Sequence, residues 1–240
     1  MKVEKHQGRS LEPEIKSAIL NHLKGREGFP KESIIINEFS LDSHVRRVDL
    51  AYFDSKNFYA FEVKSGADSL SRLSGQIEEY LNYFDKVVVV ADAKHIDRVV
   101  KIAPTHVGVW EFGDGRIKVV RRGRIARTSK YQLLKLLKVS EINWILKKYA
   151  ALHRLPKSKA INLAASKISI SVTRELVFSL LGRRFYSTSE KFIGETKDRV
   201  IKASDIDLLS PYAVLRRARK QRSQSELELL QELKRLQDFL

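Results

Sequence analysis

Two neighbouring segments of this chain have the pattern of β-strands, and each carries acidic residues in an apolar run. Residues Arg47–Phe53 and Phe58–Lys64 alternate apolar and polar side chains and contain β-branched and aromatic members. Four turn-forming residues join them, so a hairpin would place Asp49 beside Glu62. Because side chains alternate along a strand, Glu62 and Lys64 lie on one face of the predicted sheet.

Two carboxylates and an ammonium group at the end of an apolar sheet are costly to bury unless a ligand or a reaction uses them. Carboxylate oxygens are the ligands that a hard cation such as Mg²⁺ prefers. We therefore interpret Asp49 and Glu62 as candidate metal ligands, with Lys64 beside them. The structural alternative is a charge pair at a strand end, since this loose spacing also occurs by chance in lysine-rich chains.

An amphipathic helix is predicted shortly after the second strand. Apolar residues recur at helical spacing between residues 70 and 83. Gln76 and Tyr80 are four residues apart and therefore share one face of this helix. The alternative is an ordinary packing helix that happens to carry a glutamine.

These residues together resemble the PD-(D/E)XK nuclease superfamily. The Gln76–Tyr80 pair, placed shortly after Glu62-Val63-Lys64, is similar to the extra motif of its RecB-like branch. The stretch from residue 37 to residue 90 looks most like a family of uncharacterised phage-associated and bacterial nuclease-like proteins. One departure is Val48, which stands where the superfamily name has proline.

The resemblance implies a fold, a cofactor and a set of residue roles. The fold is α/β, with a restriction-endonuclease-like αβββαβ core and a mixed sheet. The implied cofactor is magnesium, with manganese as a substitute, bound by Asp49, Glu62 and the carbonyl of Val63. Lys64 would orient or deprotonate the attacking water, and the helix would position water or phosphate. The implied catalytic residues are Asp49, Glu62, Lys64, Gln76 and Tyr80.

A first helix is predicted from residue 10 to residue 23. Ile15 and Ile19 belong to its buried stripe, and Glu12 falls on the same stripe one turn before Ile15. RecB-like nucleases carry a metal-side glutamate on the first helix, so the resemblance implies Glu12 as a ligand, with Glu14 as the alternative. Acidic residues in a first turn also complement the helix dipole, which is the structural alternative.

Further strands are predicted on either side of this core. The β-branched run at residues 87–92 predicts a strand buried on both faces, reached by a parallel crossover. With a first strand at residues 34–36, the order is helix, three strands, helix, strand. Residues 107–112 and 117–120 then add a hairpin at the sheet edge.

The net charge of +16 is unevenly distributed, with +4 in residues 1–127 and +12 in residues 128–240. The second half contains mainly helical patterns. We therefore predict a nuclease-like domain over residues 1–127 and a small basic helical domain over residues 128–240. Gly182, followed by two arginines, predicts a helix end at that point.

A basic run near the C-terminus is the candidate nucleic-acid contact. Such runs are often solvated faces, but they also bind phosphates and release counterions. The leucine-striped amphipathic helix after it would dock on the helical domain, or on a second subunit or protein partner. The candidate contact residues are Arg216, Arg217, Arg219, Lys220 and Arg222.

Composition excludes several classes of site. The chain has no cysteine, so disulfides, thiol nucleophiles and thiolate metal sites are impossible, and no apolar run reaches the length of a membrane span. This composition predicts a cytoplasmic protein without a membrane partner. The sequence thus favours a magnesium-dependent deoxyribonuclease that binds nucleic acid, DNA in our interpretation. The alternative is a catalytically silent nucleic-acid-binding or protein-interaction module on the same fold.

Overall fold

The computed structural model describes residues 12–25, 27–41, 46–150 and 154–210. The predicted nucleic-acid contacts Arg216, Arg217, Arg219, Lys220 and Arg222 lie outside the described residues, as does the leucine-striped helix that follows them.

The first half of the chain contains all six strands of the described residues together with three α-helices, and the described part of the second half is helical. The elements of the first half are α1 (Glu12–Lys24), β1 (Ile34–Ser40), β2 (Arg47–Phe53), β3 (Phe58–Lys64), α2 (Leu73–Leu81), β4 (Lys86–Asp92), α3 (Ile96–Ile102), β5 (Gly108–Gly113) and β6 (Arg116–Arg121). The second half contains α4 (Lys130–Lys135), α5 (Val139–Ala150), α6 (Lys157–Lys167) and α7 (Ile170–Thr196). Short 3₁₀ helices span Ala93–His95 and Ala203–Leu209.

The six strands form one mixed sheet whose spatial order is the order of the sequence. β4 pairs in parallel with β3 and β5, whereas the other neighbours are antiparallel. Helices cover both faces of a parallel pair, and Val87 to Val90 are accordingly buried. The prediction of an α/β fold with a mixed sheet and a terminal hairpin is confirmed.

The two faces of the sheet support two apolar clusters. On one face, Ile15 and Ile19 of α1 pack with Leu50 and Phe61, together with Ile206 from the last 3₁₀ helix. On the other face, α2 to α6 and the first part of α7 pack against alternate residues of β1 to β5. No helix within the described residues is long and apolar enough to cross a bilayer.

The predicted helix end at Gly182 is wrong, because α7 continues from Ile170 through this glycine to Thr196. A glycine inside a helix costs about 1 kcal/mol relative to alanine. Tertiary packing outweighs this cost, because the parts of α7 before and after Gly182 both contribute buried residues to the protein. A β-carbon at residue 182 would lie 3.7 Å from Ile34 Cδ1 of β1.

Helix α7 also protects the open edge of the sheet at β1. Ile35 N donates a hydrogen bond of 2.9 Å to Ser189 Oγ, and the Ser189 hydroxyl lies 3.1 Å from the carbonyl oxygen of Ile35. A single side chain thus binds the backbone groups that a further strand would otherwise take. Phe192, one turn beyond Ser189, reaches the apolar cluster on the opposite face.

The predicted boundary at residues 127 and 128 coincides with the change from strands to helices. The apolar core nevertheless crosses it, because Leu133, Ile145 and Val177 belong to the same cluster as Ala60 and Val89 of the sheet. The division into two domains stays a prediction. The helices after residue 128 are packed on the sheet within one shared core.

Asp85, the residue immediately before β4, joins the two halves of the chain. Its side chain is fully buried, and Arg174 of α7 donates hydrogen bonds of 3.0 and 2.6 Å to its two oxygens. Phe58 N donates a third bond of 2.9 Å to Asp85 Oδ2, and the guanidinium of Arg174 stacks 4.6 Å from the Phe58 ring centre. One carboxylate therefore holds β3, β4 and α7 together.

We expect Arg174→Met to lower the free energy of unfolding by about 3 kcal/mol, because it leaves the buried Asp85 carboxylate without its main partner. Lys191→Met is the matched control on the same helix, since it removes only an exposed ion pair with Glu195 and should cost less than about 1 kcal/mol. Chemical denaturation measures both values. Equal losses in the two variants would contradict a structural role for the pair.

Candidate active site

Asp49 lies where β2 and β3 part. The paired register of the two strands ends at Leu50 opposite Phe61, so Asp49 and Glu62 are the next residues along. At this point a side chain replaces the backbone ladder, because Val63 N donates a hydrogen bond of 2.7 Å to Asp49 Oδ2. The carboxyl group of Asp49 is thereby fixed beside the Glu62-Val63-Lys64 segment.

Glu62 and Lys64 share one face of β3, as the period of two predicts. Lys64 Nζ lies 2.6 Å from Glu62 Oε1, and both side chains are nearly inaccessible to solvent. Lys64 Nζ also donates a hydrogen bond of 3.1 Å to Gln76 Oε1 on α2. The amide of Gln76 therefore directs the ammonium group across the end of the strand.

Tyr80 completes this cluster from the next turn of α2. Its hydroxyl lies 2.9 Å from Glu62 Oε2 and 2.8 Å from the carbonyl oxygen of Arg47. Burial, together with the nearby Glu62 carboxylate, raises the pKa of Tyr80 well above its usual range. The phenol thus stays protonated and acts as a hydrogen-bond donor that orients Glu62.

Asp49 carries an unusual charge balance. Its pKa is raised to about 7, chiefly by burial and also by the negative charge of Glu62, although the hydrogen bond from Val63 N and the cation of Lys16 oppose this rise. Like charges held close together disfavour ionisation of both. A cation placed between the two carboxyl groups would reverse this effect and favour the ionised form of Asp49.

Glu12 and Lys16 approach the site from α1. Lys16 is buried, forms an ion pair with Glu12 and donates a hydrogen bond of 2.7 Å to Asn37 Oδ1 of β1. Glu12 is close enough to contribute to the raised pKa of Asp49. The structure therefore brings Glu12 towards the predicted site, with its carboxylate paired to Lys16, whereas Glu14 is exposed one turn from Ser17.

The donor set fits a magnesium ion in its chemistry. Within the described residues, no group of three or more histidine, aspartate or glutamate side chains converges as a metal site. Mg²⁺ keeps several waters and is commonly held by one or two carboxylates together with substrate phosphates. The adjacent carboxyl groups of Asp49 and Glu62 meet that requirement with oxygen atoms alone.

Two basic residues near the site were not predicted from the sequence. The sequence indicates nothing of the role of Lys16 beyond its position on the buried side of α1. Arg46 precedes β2, and its guanidinium lies against α2, where a β-carbon on Gly75 would come within 2.9 Å of Arg46 Nη2. The glycine beside Gln76 is the available signal, since a helix interior otherwise disfavours it.

The raised pKa of Asp49 predicts how stability depends on pH. The folded protein holds this proton up to a pKa of about 7. The unfolded chain loses it near pH 4, so the contribution of Asp49 to stability decreases as pH rises between these values. Asp49→Asn retains a side-chain oxygen that can accept the hydrogen bond from Val63 N. At pH 8 its free energy of unfolding should exceed that of the unsubstituted protein by on the order of 1–4 kcal/mol.

Denaturant unfolding in chelator at pH 4 and pH 8 measures this difference, which should largely vanish at the lower pH. Asp54→Asn, in the β2–β3 turn, serves as the control and should not show the same trend. Parallel pH profiles for the original chain and Asp49→Asn would contradict the assigned electrostatics.

Comparison with known proteins identifies relatives of this chain. The profile of the family described as Bacteriophage P4 protein cII matches residues 5–210. The curated protein cII of Enterobacteria phage P4 is 33% identical over 210 residues, which cover 83% of this chain and 77% of that protein. A protein of unknown function from Silicibacter pomeroyi aligns over 61% of this chain and 98% of its own, with 17% identity and a TM-score of 0.40. The phage association suggested by the sequence agrees with the matching family and with the phage P4 protein, and the chain belongs to the bacteriophage P4 protein cII family.

Proposed function

We propose that this protein is a metal-dependent nuclease that hydrolyses phosphodiester bonds, with DNA as the preferred substrate. The observation that carries the proposal is the connected cluster of Asp49, Glu62, Lys64, Gln76 and Tyr80 at the end of β3. The element order from α1 to β4 is that of the αβββαβ core of the PD-(D/E)XK superfamily. The likeness to its RecB-like branch rests on the same residues.

Asp49 and Glu62 are the residues that would hold magnesium, and manganese would substitute for it. When bound, the ion would supply Lewis-acid charge neutralisation at the phosphate and lower the pKa of a water molecule. Asp49 would contribute to binding only when ionised, so the affinity should decrease as pH falls below about 7. The Val63 carbonyl and Glu12 are the further ligands that the superfamily resemblance implies.

Lys64 is the group proposed to act on the reacting atoms. Its ammonium group is a compact charge with three donors, held in place by Glu62 and Gln76. From this position it would hold the attacking water or stabilise the negative charge that develops on the phosphate. Gln76 and Tyr80 are positioning residues, since their contacts run to Lys64 and Glu62.

Arg46 is proposed as a phosphate-binding residue of the same site. Its guanidinium lies against Gly75 of α2, the residue before Gln76. A planar guanidinium with several donors suits phosphate oxygens. Lys16 would act differently, because its ammonium group is already bound to Glu12 and Asn37 and contributes positive charge near Asp49.

Cleavage of a labelled oligonucleotide by the purified chain tests the proposed function. We expect cleavage with magnesium or manganese, none in excess chelator, and a loss of at least about 100-fold in Asp49→Asn and Lys64→Met. Tyr80→Phe should lose about 10-fold, because it removes a group that orients a ligand. Glu78→Gln, on the exposed side of α2, is the control and should retain full activity.

Robust cleavage in chelator would overturn the metal-dependent mechanism. Binding without cleavage in every metal tested would favour the alternative, a catalytically silent nucleic-acid-binding module. Asp49→Asn should still bind the oligonucleotide, because it removes one negative charge and leaves the proposed phosphate contacts in place.

Gly75→Ala separates the proposed role of Arg46 from the stability of the fold. Alanine should stabilise α2 by about 0.5–1 kcal/mol, yet its β-carbon would displace the Arg46 guanidinium. We expect a several-fold increase in KM, little change in kcat and an unchanged or higher midpoint of unfolding. Ser74→Ala, at the preceding exposed position, should leave KM unchanged. An equal KM in the two variants would contradict the proposal that Arg46 binds phosphate.

A further inference from the structure

A cleft of about 1090 Å³ lies between the outer part of β1 and the helices that follow residue 130. Residues 36–41 form one wall, and the segment from Lys135 to Val139 with parts of α6 and α7 forms the other. It is separate from the cluster around Glu62 and Lys64, and none of the proposed catalytic residues lines it.

Positive charge dominates the lining of the cleft. Five cationic side chains contribute to it, and the lining contains a single acidic residue, Glu38, whose carboxylate lies 3.2 Å from Arg47 Nη1. Lys138 is exposed, and its ammonium group makes no ion pair within the described ranges. The cationic residues are Arg47, Lys135, Lys138, Lys157 and Arg184.

The rest of the lining is largely apolar. Phe185 is half-buried, and the guanidinium of Arg184 lies 5.1 Å from its ring centre. Leu136 and Val139 are among the apolar residues of the opposite wall. Cations that can bind phosphates, next to an aromatic ring and aliphatic surface that can bind bases, are the combination used by single-strand-binding grooves.

Two lining residues of the cleft contact groups of the candidate active site. Asn37 belongs to its lining and binds Lys16, which contributes charge to Asp49. Arg47 also belongs to it, and the carbonyl oxygen of Arg47 accepts a hydrogen bond from the same Tyr80 hydroxyl that contacts Glu62. The cleft is therefore connected to the candidate metal ligands through Asn37 and Arg47.

We propose that this cleft binds a single-stranded segment of the nucleic acid and directs it to Asp49 and Glu62. The proposal rests on the nuclease function proposed above and names the form of its substrate. A duplex keeps its bases stacked and paired inside, so it cannot place them on the apolar lining between the cations. An unpaired strand can do so while its phosphates contact Lys135, Lys138 and Lys157.

The test measures binding of a fluorescent single-stranded oligonucleotide to the full chain by anisotropy, in excess chelator and over a range of salt concentrations. In Lys135→Gln/Lys138→Gln we expect about 10-fold weaker binding at 0.1 M salt and a salt slope reduced by about 1.4, as two lost phosphate contacts predict. Lys101→Gln/Arg116→Gln is the control, since it removes two exposed charges from α3 and from β6, the strand at the opposite sheet edge. Circular dichroism checks that both variants are folded.

Phe185→Leu tests the contact with bases. It keeps an apolar side chain in the core but removes the aromatic ring, so single-strand affinity should decrease several-fold while duplex affinity stays the same. A matching decrease for the duplex would overturn the assignment to a single strand. Equal affinity and salt slope in the cleft and control variants would overturn the cleft as the binding site.

Competition by polyglutamate of equal charge tests whether the cleft binds acidic peptides instead of nucleic acid. If it displaces the oligonucleotide as effectively as an unlabelled strand, the cleft is a site for acidic peptides and the proposal fails. Because binding is measured without metal, these outcomes do not depend on cleavage. A chain that binds through the cleft but never cleaves would contradict the nuclease function and leave the binding site in place.

Discussion

The bidentate ion pair between Asp85 and Arg174 is the interaction on which the arrangement of the whole chain depends. Asp85 immediately precedes β4, and its oxygens are bound by Arg174 of α7 and by the backbone of Phe58 at the start of β3. It is a strong, charge-assisted contact at a fully buried carboxylate. Without it, neither the parallel β3–β4 pair nor the helices on that face would be fixed in the same way.

The position of α7 has consequences at the other end of the sheet. The helix continues through Gly182, binds the edge of β1 through Ser189 and carries Arg184 and Phe185 into the cleft. The strand end with Glu62 and Lys64 is organised by hydrogen bonds within β3 and from α2. The candidate active site and the proposed substrate path are thus built by different parts of the chain and meet at β1 and β2.

The candidate site concentrates charge that the fold does not require for packing. Lys64 binds one oxygen of Glu62 and Tyr80 binds the other, whereas Asp49 accepts a hydrogen bond from the Val63 N–H. A carboxyl group with a pKa near 7 is tuned to change its charge when a cation or a proton arrives. Such a group is expected at a functional site more often than in a structural network.

The sequence by itself determined the features that depend on local periodicity. Alternation identified β2 and β3, the β-branched run identified β4, and the spacing of Gln76 and Tyr80 placed both on the helix face that contacts β3. The cross-strand position of Asp49 followed from the length of the turn. These outcomes need only the geometry of a strand, a hairpin and a helix.

Only the tertiary structure decided which distant groups meet. Lys16 lies against Asn37, Arg46 lies over Gly75, and Arg174 reaches Asp85 across 89 residues of chain, and no local pattern specifies these partners. The prediction of a helix end at Gly182 was wrong for the same reason. Packing of α7 on the sheet outweighs the weak helix propensity of one glycine. Long-range burial and charge pairing, rather than residue spacing, determine these contacts.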